Sequence, residues 1–115
     1  MMTAMAGITV RLLLLASVLG AAEFKGVVLA IGNSEYPAAP LSTPPNDAGQ
    51  FGVRLHQLGF DVETKTNVRF TDFRALISQL RARATTTAGS IIFYYAGHGI
   101  QINRVNYLIP IRFEL

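Results

Sequence analysis

Two continuous apolar runs stand out in the pattern of hydrophobic and polar positions along the chain. They cover residues 27–31 and 90–95, and glycine follows closely at Gly32 and Gly97. Such runs are typical of strands that are buried on both faces of a sheet. Residues 60–66 instead alternate apolar or β-branched side chains with charged ones, which predicts an edge strand with one dry and one wet face.

Helical periodicity fills the segments between these strands. Asn46 and Asp47 are good N-cap residues after a proline-rich loop, which predicts a helix over 47–58 that ends at Gly59. A second helix is predicted after Thr71, which is a suitable cap. The apolar stripes consist of Ala48, Phe51, Leu55 and Leu58 in the first helix and Phe73, Leu76, Ile77, Leu80 and Ala84 in the second.

The order of these elements predicts an α/β fold, closed by a short strand at 106–109. Buried strands that are each reached through a helix imply parallel crossovers, and an alternating edge strand gives the strand order 2-1-3. Ligands and catalytic groups collect at the carboxyl ends of such strands, here the loop at 32–34 and the turn at 97–99. Tyr94 and Tyr95 are expected in the core, on opposite faces of their strand.

Length and composition restrict the functions that this fold can carry. The chain has 115 residues, 50% hydrophobic and 15% charged, which fits one small globular domain. The chain contains no cysteine, which excludes a disulfide, a thiolate metal site or a cysteine nucleophile within these residues. The net charge is only +3, and the basic residues form no clustered face. Nucleic acid is therefore not an expected partner. Arg81 and Arg83 come nearest to a cluster and are interpreted as solvated.

The N-terminal segment has the order of a secretory signal peptide. One positive charge precedes an apolar run at 12–19, which three small residues follow. We therefore expect a signal peptide at 1–22, a domain at 23–115, and export to the periplasm or the medium. The apolar stretch at 8–22 is shorter than the ~20 residues of a spanning helix. No stable membrane span is expected, and the alternative is a membrane anchor formed by the same segment.

His98 is the leading candidate for chemistry. Gly97 and Gly99 flank it at the end of a predicted strand, and they permit close backbone approach beside a free N–H. This suits a general base next to an oxyanion site, although a tight turn with an incidental histidine is the alternative. His56 lies off the apolar stripe of its helix and is interpreted as a surface or packing residue.

The other polar candidates have structural alternatives. Asp47 is either a helix cap or a carboxylate of a substrate pocket, and Asn33, Ser34 and Tyr36 either shape a loop or line a cleft. Two histidines 42 residues apart, without nearby carboxylates around His98, lack the spacing of a metal site. No dinucleotide, phosphate-loop or serine-nucleophile motif is present, so no cofactor is expected.

Five segments together resemble one family of peptidases. They are VLAIGNSEY at 28–36, PPNDA at 44–48, LGFDV at 58–62, FYYAGHGIQ at 93–101 and NYLIP at 106–110. In this order they resemble the N-terminal half of the large-subunit domain of bacterial caspase-like, or metacaspase-like, cysteine peptidases. The resemblance covers residues 26–110 and implies a three-layer α/β/α sandwich, present here as a fragment.

The resemblance also implies an activity and its residues. The implied activity is acyl transfer by a Cys–His dyad on a peptide or protein substrate. In this reaction His98 would protonate the leaving amine, and the Gly99 N–H would help to hold the oxyanion. Asp47 matches the acidic position that recognises a basic side chain before the scissile bond, which implies a Lys/Arg-directed endopeptidase. We assign Asn33 to substrate binding as well.

The expected nucleophile is missing from the chain. In caspases the cysteine follows the histidine by about 50 residues, which would place it near position ~148. We therefore expect the His-bearing part of a peptidase, inactive alone and marginally stable because its third strand exposes an edge. A complementing chain with the cysteine half is the partner this implies. Arg104 stands where a turn glycine is usual in the family.

Two other functions stay open at this point. One is a non-catalytic caspase-fold module that pairs with another chain. The other is a different hydrolase, in which His98 activates a serine such as Ser34.

Overall fold

The fold is known from a computed structural model that describes residues 25–87 and 89–112. Its elements are β1 (Gly26–Gly32), α1 (Pro44–Gln57), β2 (Asp61–Thr66), α2 (Phe70–Thr86), β3 (Ser90–Ala96), β4 (Gly99–Ile102) and β5 (Val105–Leu108). β1 pairs in parallel with β2 on one side and with β3 on the other. The predicted strand order 2-1-3 and the parallel crossovers are confirmed.

One helix covers each face of this sheet. Because successive side chains of a strand point to opposite faces, β1 contributes to two separate cores. Val28 packs with Leu55 of α1, whereas Leu29 packs with Leu76 and Leu80 of α2. The five apolar residues of β1 are at most 1% exposed. This is the α/β/α sandwich that the sequence predicts, with β1 at its centre.

Both helices begin earlier than predicted. α1 begins at Pro44, so Asn46 and Asp47 lie inside its first turn, and the prediction that they cap the helix is wrong. Prolines fit at this end because the first helical N–H groups have no acceptor within the helix. α2 begins at Phe70 with Arg69 as its N-cap, so Thr71 lies inside the first turn and the prediction that it caps the helix is also wrong.

The end of α1 agrees with the prediction at Gly59. Its φ of +102° is a left-handed conformation that glycine adopts without strain. The Gly59 N–H donates to His56 O at 3.0 Å and the Phe60 N–H donates to Leu55 O at 3.1 Å, which together form a Schellman motif. The motif turns the chain from α1 into β2.

The alternating strand β2 packs one face on α1 and carries charges on the other. Val62 packs into the α1 core, whereas Asp61 and Glu63 face Arg83 of α2. The Arg83 guanidinium lies 2.6 Å from the Asp61 carboxylate and 3.3 Å from that of Glu63. The interpretation of Arg83 as a solvated residue is therefore wrong, since the acidic face of the edge strand attracts it.

β3 is the second edge of the described sheet and is less buried than its apolar run predicts. Ile91 is 57% exposed because β3 has a strand on only one side. The predicted exposed edge is confirmed, while burial on both faces is not found. Tyr94 stacks on Phe51 of α1 with 4.3 Å between ring centroids, whereas Tyr95 packs into the α2 core. These two tyrosines occupy opposite faces, as predicted.

The chain leaves β3 into an antiparallel hairpin of β4 and β5. The sequence predicts only a strand near β5. β4 is not predicted, because it begins at Gly99 in the segment that is predicted as a turn. Asn103 and Arg104 form the two-residue turn with φ of 50° and 65°, the left-handed pair that such hairpins require. Arg104 therefore takes a conformation that glycine adopts more easily.

The predicted signal peptide at 1–22 lies outside the described residues. Within residues 25–87 and 89–112, no helix has both the length and the apolar character needed to cross a membrane.

Candidate functional site

The carboxyl edge of the sheet brings His98 against the loop that follows β1. The imidazole Nε2 lies 2.7 Å from Ala39 O, and the ring centroid lies 4.3 Å from that of Tyr36. A carbonyl oxygen only accepts, so this contact assigns the proton of the neutral ring to Nε2. Nδ1 is then the nitrogen that can accept a proton from a nucleophile.

Two tyrosine hydroxyls surround the backbone of the histidine turn. The His98 N–H donates to Tyr36 Oη at 3.0 Å, and Tyr95 Oη donates to His98 O at 2.8 Å. The two hydroxyl oxygens are 2.9 Å apart, and each lies 2.8 Å from Ile109 O at the end of the hairpin. Burial, and then the hydrogen bond with Tyr36, raise the pKa of Tyr95 above its ordinary value.

Gly97 leaves room for these hydroxyls. A Cβ at this position would lie 2.6 Å from Tyr95 Oη and 2.7 Å from Tyr36 Oη, closer than real Cβ contacts. The sequence interpretation of Gly97 as a position of close approach is thus supported, but the approaching groups are tyrosine hydroxyls of this chain.

Gly99 presents its N–H away from the hairpin. It pairs with Leu108, next to the hydrogen bond of 3.0 Å from the Ile109 N–H to His98 O. Because hydrogen-bonded and non-hydrogen-bonded pairs alternate along an antiparallel ladder, Gly99 and Leu108 form a non-hydrogen-bonded pair. The Gly99 N–H is therefore not used by β5, as an oxyanion role requires. That role stays a prediction.

Asn33 is a buried link between three elements. Its side chain is 0% exposed, and Oδ1 accepts the Val68 N–H at 2.8 Å just before α2. Its backbone N–H donates to Ala96 O at 2.8 Å, at the end of β3. These contacts fix the carboxyl edge of the sheet. Substrate binding by Asn33 stays a prediction.

Asp47 lies in the first turn of α1, on the same edge of the sheet and partly exposed. Burial and then the Asp47 charge raise the pKa of Tyr94, so the carboxylate acts on the α1 face of β3. Phe51, one turn further along α1, stacks on Tyr94 with an interplanar angle of 18°. An acidic group thus lies by an aromatic pair. Its role in recognition stays a prediction.

Ser34 is engaged away from His98. Its Oγ donates to Asn67 Oδ1 at 3.3 Å and its N–H donates to the same oxygen at 3.0 Å. The imidazole Nε2 of His98 instead contacts Ala39 O. This geometry offers no support for a serine nucleophile at this position.

The site contains residues that sequence reasoning did not assign to it. Tyr95 was expected only in the core, and the contact of Ala39 is made by its backbone carbonyl, for which no side-chain signal exists. The loop at 32–34 bonds to the end of β3 through the Asn33 N–H and Ala96 O, and the turn at 97–99 contacts Tyr36 and Ala39 further along the same loop. His56 is exposed on α1, which agrees with its interpretation as a surface residue.

A parallel sheet between two helices, with a histidine held at its carboxyl edge, defines an α/β sandwich with a candidate site at that edge. The family model described as the caspase domain matches residues 25–115, and the chain belongs to that family of cysteine peptidases. Proteins are the substrates that this membership implies. No curated protein and no solved structure gives a significant match to the chain.

Proposed function

We propose that this chain provides the histidine half of a caspase-type endopeptidase that cleaves after Lys or Arg. The contact between His98 Nε2 and Ala39 O carries the proposal, because it leaves Nδ1 to exchange a proton with a thiol. The chain contains no cysteine, so the thiol has to come from polypeptide outside these 115 residues. It is either about 50 residues beyond His98 in a continuous domain or on a complementing chain.

The proposed reaction is acyl transfer in two steps. The thiol gives its proton to His98 Nδ1, and the thiolate sulfur bonds to the scissile carbonyl carbon. The Gly99 N–H stabilises the oxyanion, after which the proton passes from Nδ1 to the leaving amine and the C–N bond breaks. Water then attacks the thioester with His98 as its base, releases the acid product and restores the thiol.

Asp47 supports the choice of a basic side chain at the cleaved position. Its carboxylate is partly exposed at the carboxyl edge and lies by the Phe51–Tyr94 pair. A Lys or Arg side chain has a cation for the carboxylate and an apolar stem that packs on aromatic faces. Both halves of such a side chain therefore find a suitable group on this face.

The test uses fluorogenic peptides that end in Arg, Lys or Leu, with the purified chain alone and with the cysteine-bearing half of a caspase-domain peptidase. We expect no turnover by the chain alone, and cleavage after Arg and Lys in the reassembled protein. His98→Ala should abolish cleavage. Asp47→Asn should lower it for Arg and Lys peptides, whereas Asp72→Asn, in the first turn of α2, is the matched control and should not. Cleavage that survives His98→Ala would contradict the proposal.

The exposed edge of β3 favours a second candidate, a non-catalytic module that pairs with another chain. Beside this edge, an open apolar groove of about 390 Å³ is lined mainly by Ile77, Leu80 and Ile91. Reading the coding DNA downstream of codon 115 in all frames separates the two. A cysteine-bearing continuation supports the peptidase, and an intact intergenic region supports the module.

We also propose that residues 1–22 direct export of the domain. Their basic start, apolar run and small-residue end support this. Mass spectrometry of exported protein should find an N-terminus at Glu23. Protein that keeps Met1 and fractionates with membranes would instead support the anchor.

A further inference from the structure

We propose that the hydroxyls of Tyr36 and Tyr95 form a positioning pair that holds His98 in the geometry required for acyl transfer. This inference rests on the proposed function, because it assigns two further residues to the same site. Neither hydroxyl transfers a proton to the substrate. Both act through the backbone and the ring of His98.

The two hydroxyls have only two protons for the contacts that surround them. Each hydroxyl has one proton to donate, and the nearby acceptors are the carbonyl oxygens of Ile109 and His98. In one arrangement Tyr36 donates to Ile109 O and Tyr95 donates to His98 O, which also accepts the Ile109 N–H. Tyr36 Oη still accepts the His98 N–H. The N–H and the C=O of His98 are then both bound by tyrosine hydroxyls.

This attachment matters because the turn is otherwise permissive. Gly97 and Gly99 flank His98, and glycine has more backbone freedom than any other residue. A catalytic imidazole must keep its position to within a fraction of an ångström. The hydroxyl pair supplies the restraint that the flanking residues do not.

Tyr36 restrains the imidazole itself as well as its backbone. Its ring centroid lies 4.3 Å from that of His98, and Tyr36 is only 7% exposed. The N–H groups of Tyr36 and Leu41 both donate to Ser34 O at 2.9 Å, so the loop closes on one carbonyl. This closed loop also contains Ala39, whose carbonyl fixes the tautomer of His98. One loop therefore presents both groups that orient the ring.

The imidazole ¹⁵N shifts of His98 test the proposal, because they report which ring nitrogen carries the proton. We expect one dominant tautomer, with the proton on Nε2, in the 115-residue chain. In Tyr36→Phe and Tyr95→Phe, the population of the minor tautomer should rise severalfold, and the contacts between the imidazole and the aromatic ring at position 36 should weaken. Tyr94→Phe is the matched control, since Tyr94 stacks on Phe51 on the other face of β3, and it should leave the shifts unchanged.

Amide shifts of β1 report whether each variant is folded, and two single variants keep the test decisive if one of them unfolds. Unchanged tautomer populations in folded Tyr36→Phe or Tyr95→Phe would overturn the proposal. In the reassembled peptidase, both variants should lower kcat at least tenfold with KM unchanged. A tautomer effect without any cleavage by the reassembled wild type would refute the proposed function alone. Cleavage with normal kcat in both variants would refute the positioning pair alone.

Discussion

β1 and β3 are two apolar strands of seven residues that pair with each other in register, yet their burial differs. Val27 and Leu29 of β1 are 1% exposed, whereas their register partners Ile91 and Phe93 are 57% and 38% exposed. β1 has a strand on both sides and a helix over each face, while β3 is an edge of the described sheet. Hydropathy therefore identifies a strand, but its neighbours determine how deeply it is buried.

The carboxyl end of β3 differs from its beginning. Ala96 O accepts the Asn33 N–H, and the Tyr95 hydroxyl binds the backbone of His98. The strand is thus exposed where it begins and held by polar contacts where the chemistry is proposed. Four predictions test these differences in burial and in polar contacts.

Truncation of one side chain on each strand should change the stability most. Leu29→Ala should lower the free energy of unfolding by about 2–5 kcal/mol, because it leaves a cavity in a packed core. Ile91→Ala should lower it by less than about 1 kcal/mol, because most of that side chain is already in water. Urea unfolding of both variants measures the difference. Equal losses would mean that β3 is as buried as β1 in solution.

A smaller loss of stability is expected when a methyl group is added just after the carboxyl end of β3. Gly97→Ala should destabilise the domain by about 1–3 kcal/mol, since its Cβ overlaps both tyrosine hydroxyls. The matched control is Gly49→Ala in α1, where a Cβ meets nothing within 4 Å. It should stabilise the helix by roughly 0.5–1 kcal/mol. Thermal unfolding of the pair measures this, and a neutral Gly97→Ala would show that the hydroxyls lie elsewhere.

The hairpin beyond β3 should gain stability when its turn is relaxed. Arg104→Gly removes a left-handed arginine and should add up to about 1 kcal/mol to the free energy of unfolding. Asn103→Gly should add less, because asparagine tolerates this conformation. Hydrogen exchange of the β4 and β5 amides measures the change. Faster exchange in Arg104→Gly would contradict the turn geometry.

The last prediction concerns Tyr95 and the dependence of stability on pH, which its ionisation affects only in alkaline solution. The pKa of Tyr95 is higher in the folded state than its unfolded value of about 10. The neutral hydroxyl therefore stabilises the fold fully below about pH 10, and this stabilisation is lost as the pH rises toward the folded pKa. Stability should therefore fall above pH ~10, and less steeply in Tyr95→Phe. Urea unfolding between about pH 8 and 11 measures the slopes. Parallel slopes would show that Tyr95 is not buried as described.

Much of the architecture follows from local patterns in the sequence. The apolar runs and the alternating strand predict the parallel order 2-1-3, and Gly59 predicts the end of α1. Each of these signals is contained in a few consecutive residues. The starts of both helices are not predicted. Asn46 and Asp47 are residue types that favour the N-cap. The first turn of a helix also accepts proline, however, and α1 begins two residues earlier with Pro44 and Pro45.

The site is only partly predictable for a different reason. His98 stands out through its glycines and its place after a strand, but its partners come from distant positions. Tyr36 reaches it across 62 residues, and Ala39 contributes only a carbonyl that every residue possesses. The ion pairs of Arg83 also depend on the packing of α2 against β2, which no pattern within α2 reports.

The reactivity of the proposed thiol toward iodoacetamide reports whether His98 forms a dyad with it. A free cysteine has a pKa of about 8.5 and reacts slowly at about pH 6, whereas a cysteine paired with a histidine cation is already a thiolate there. In the chain reassembled with a cysteine-bearing half, alkylation at about pH 6 should be rapid and should slow at least tenfold in His98→Ala. Equal rates in the two proteins would contradict a Cys–His dyad at this edge of the sheet.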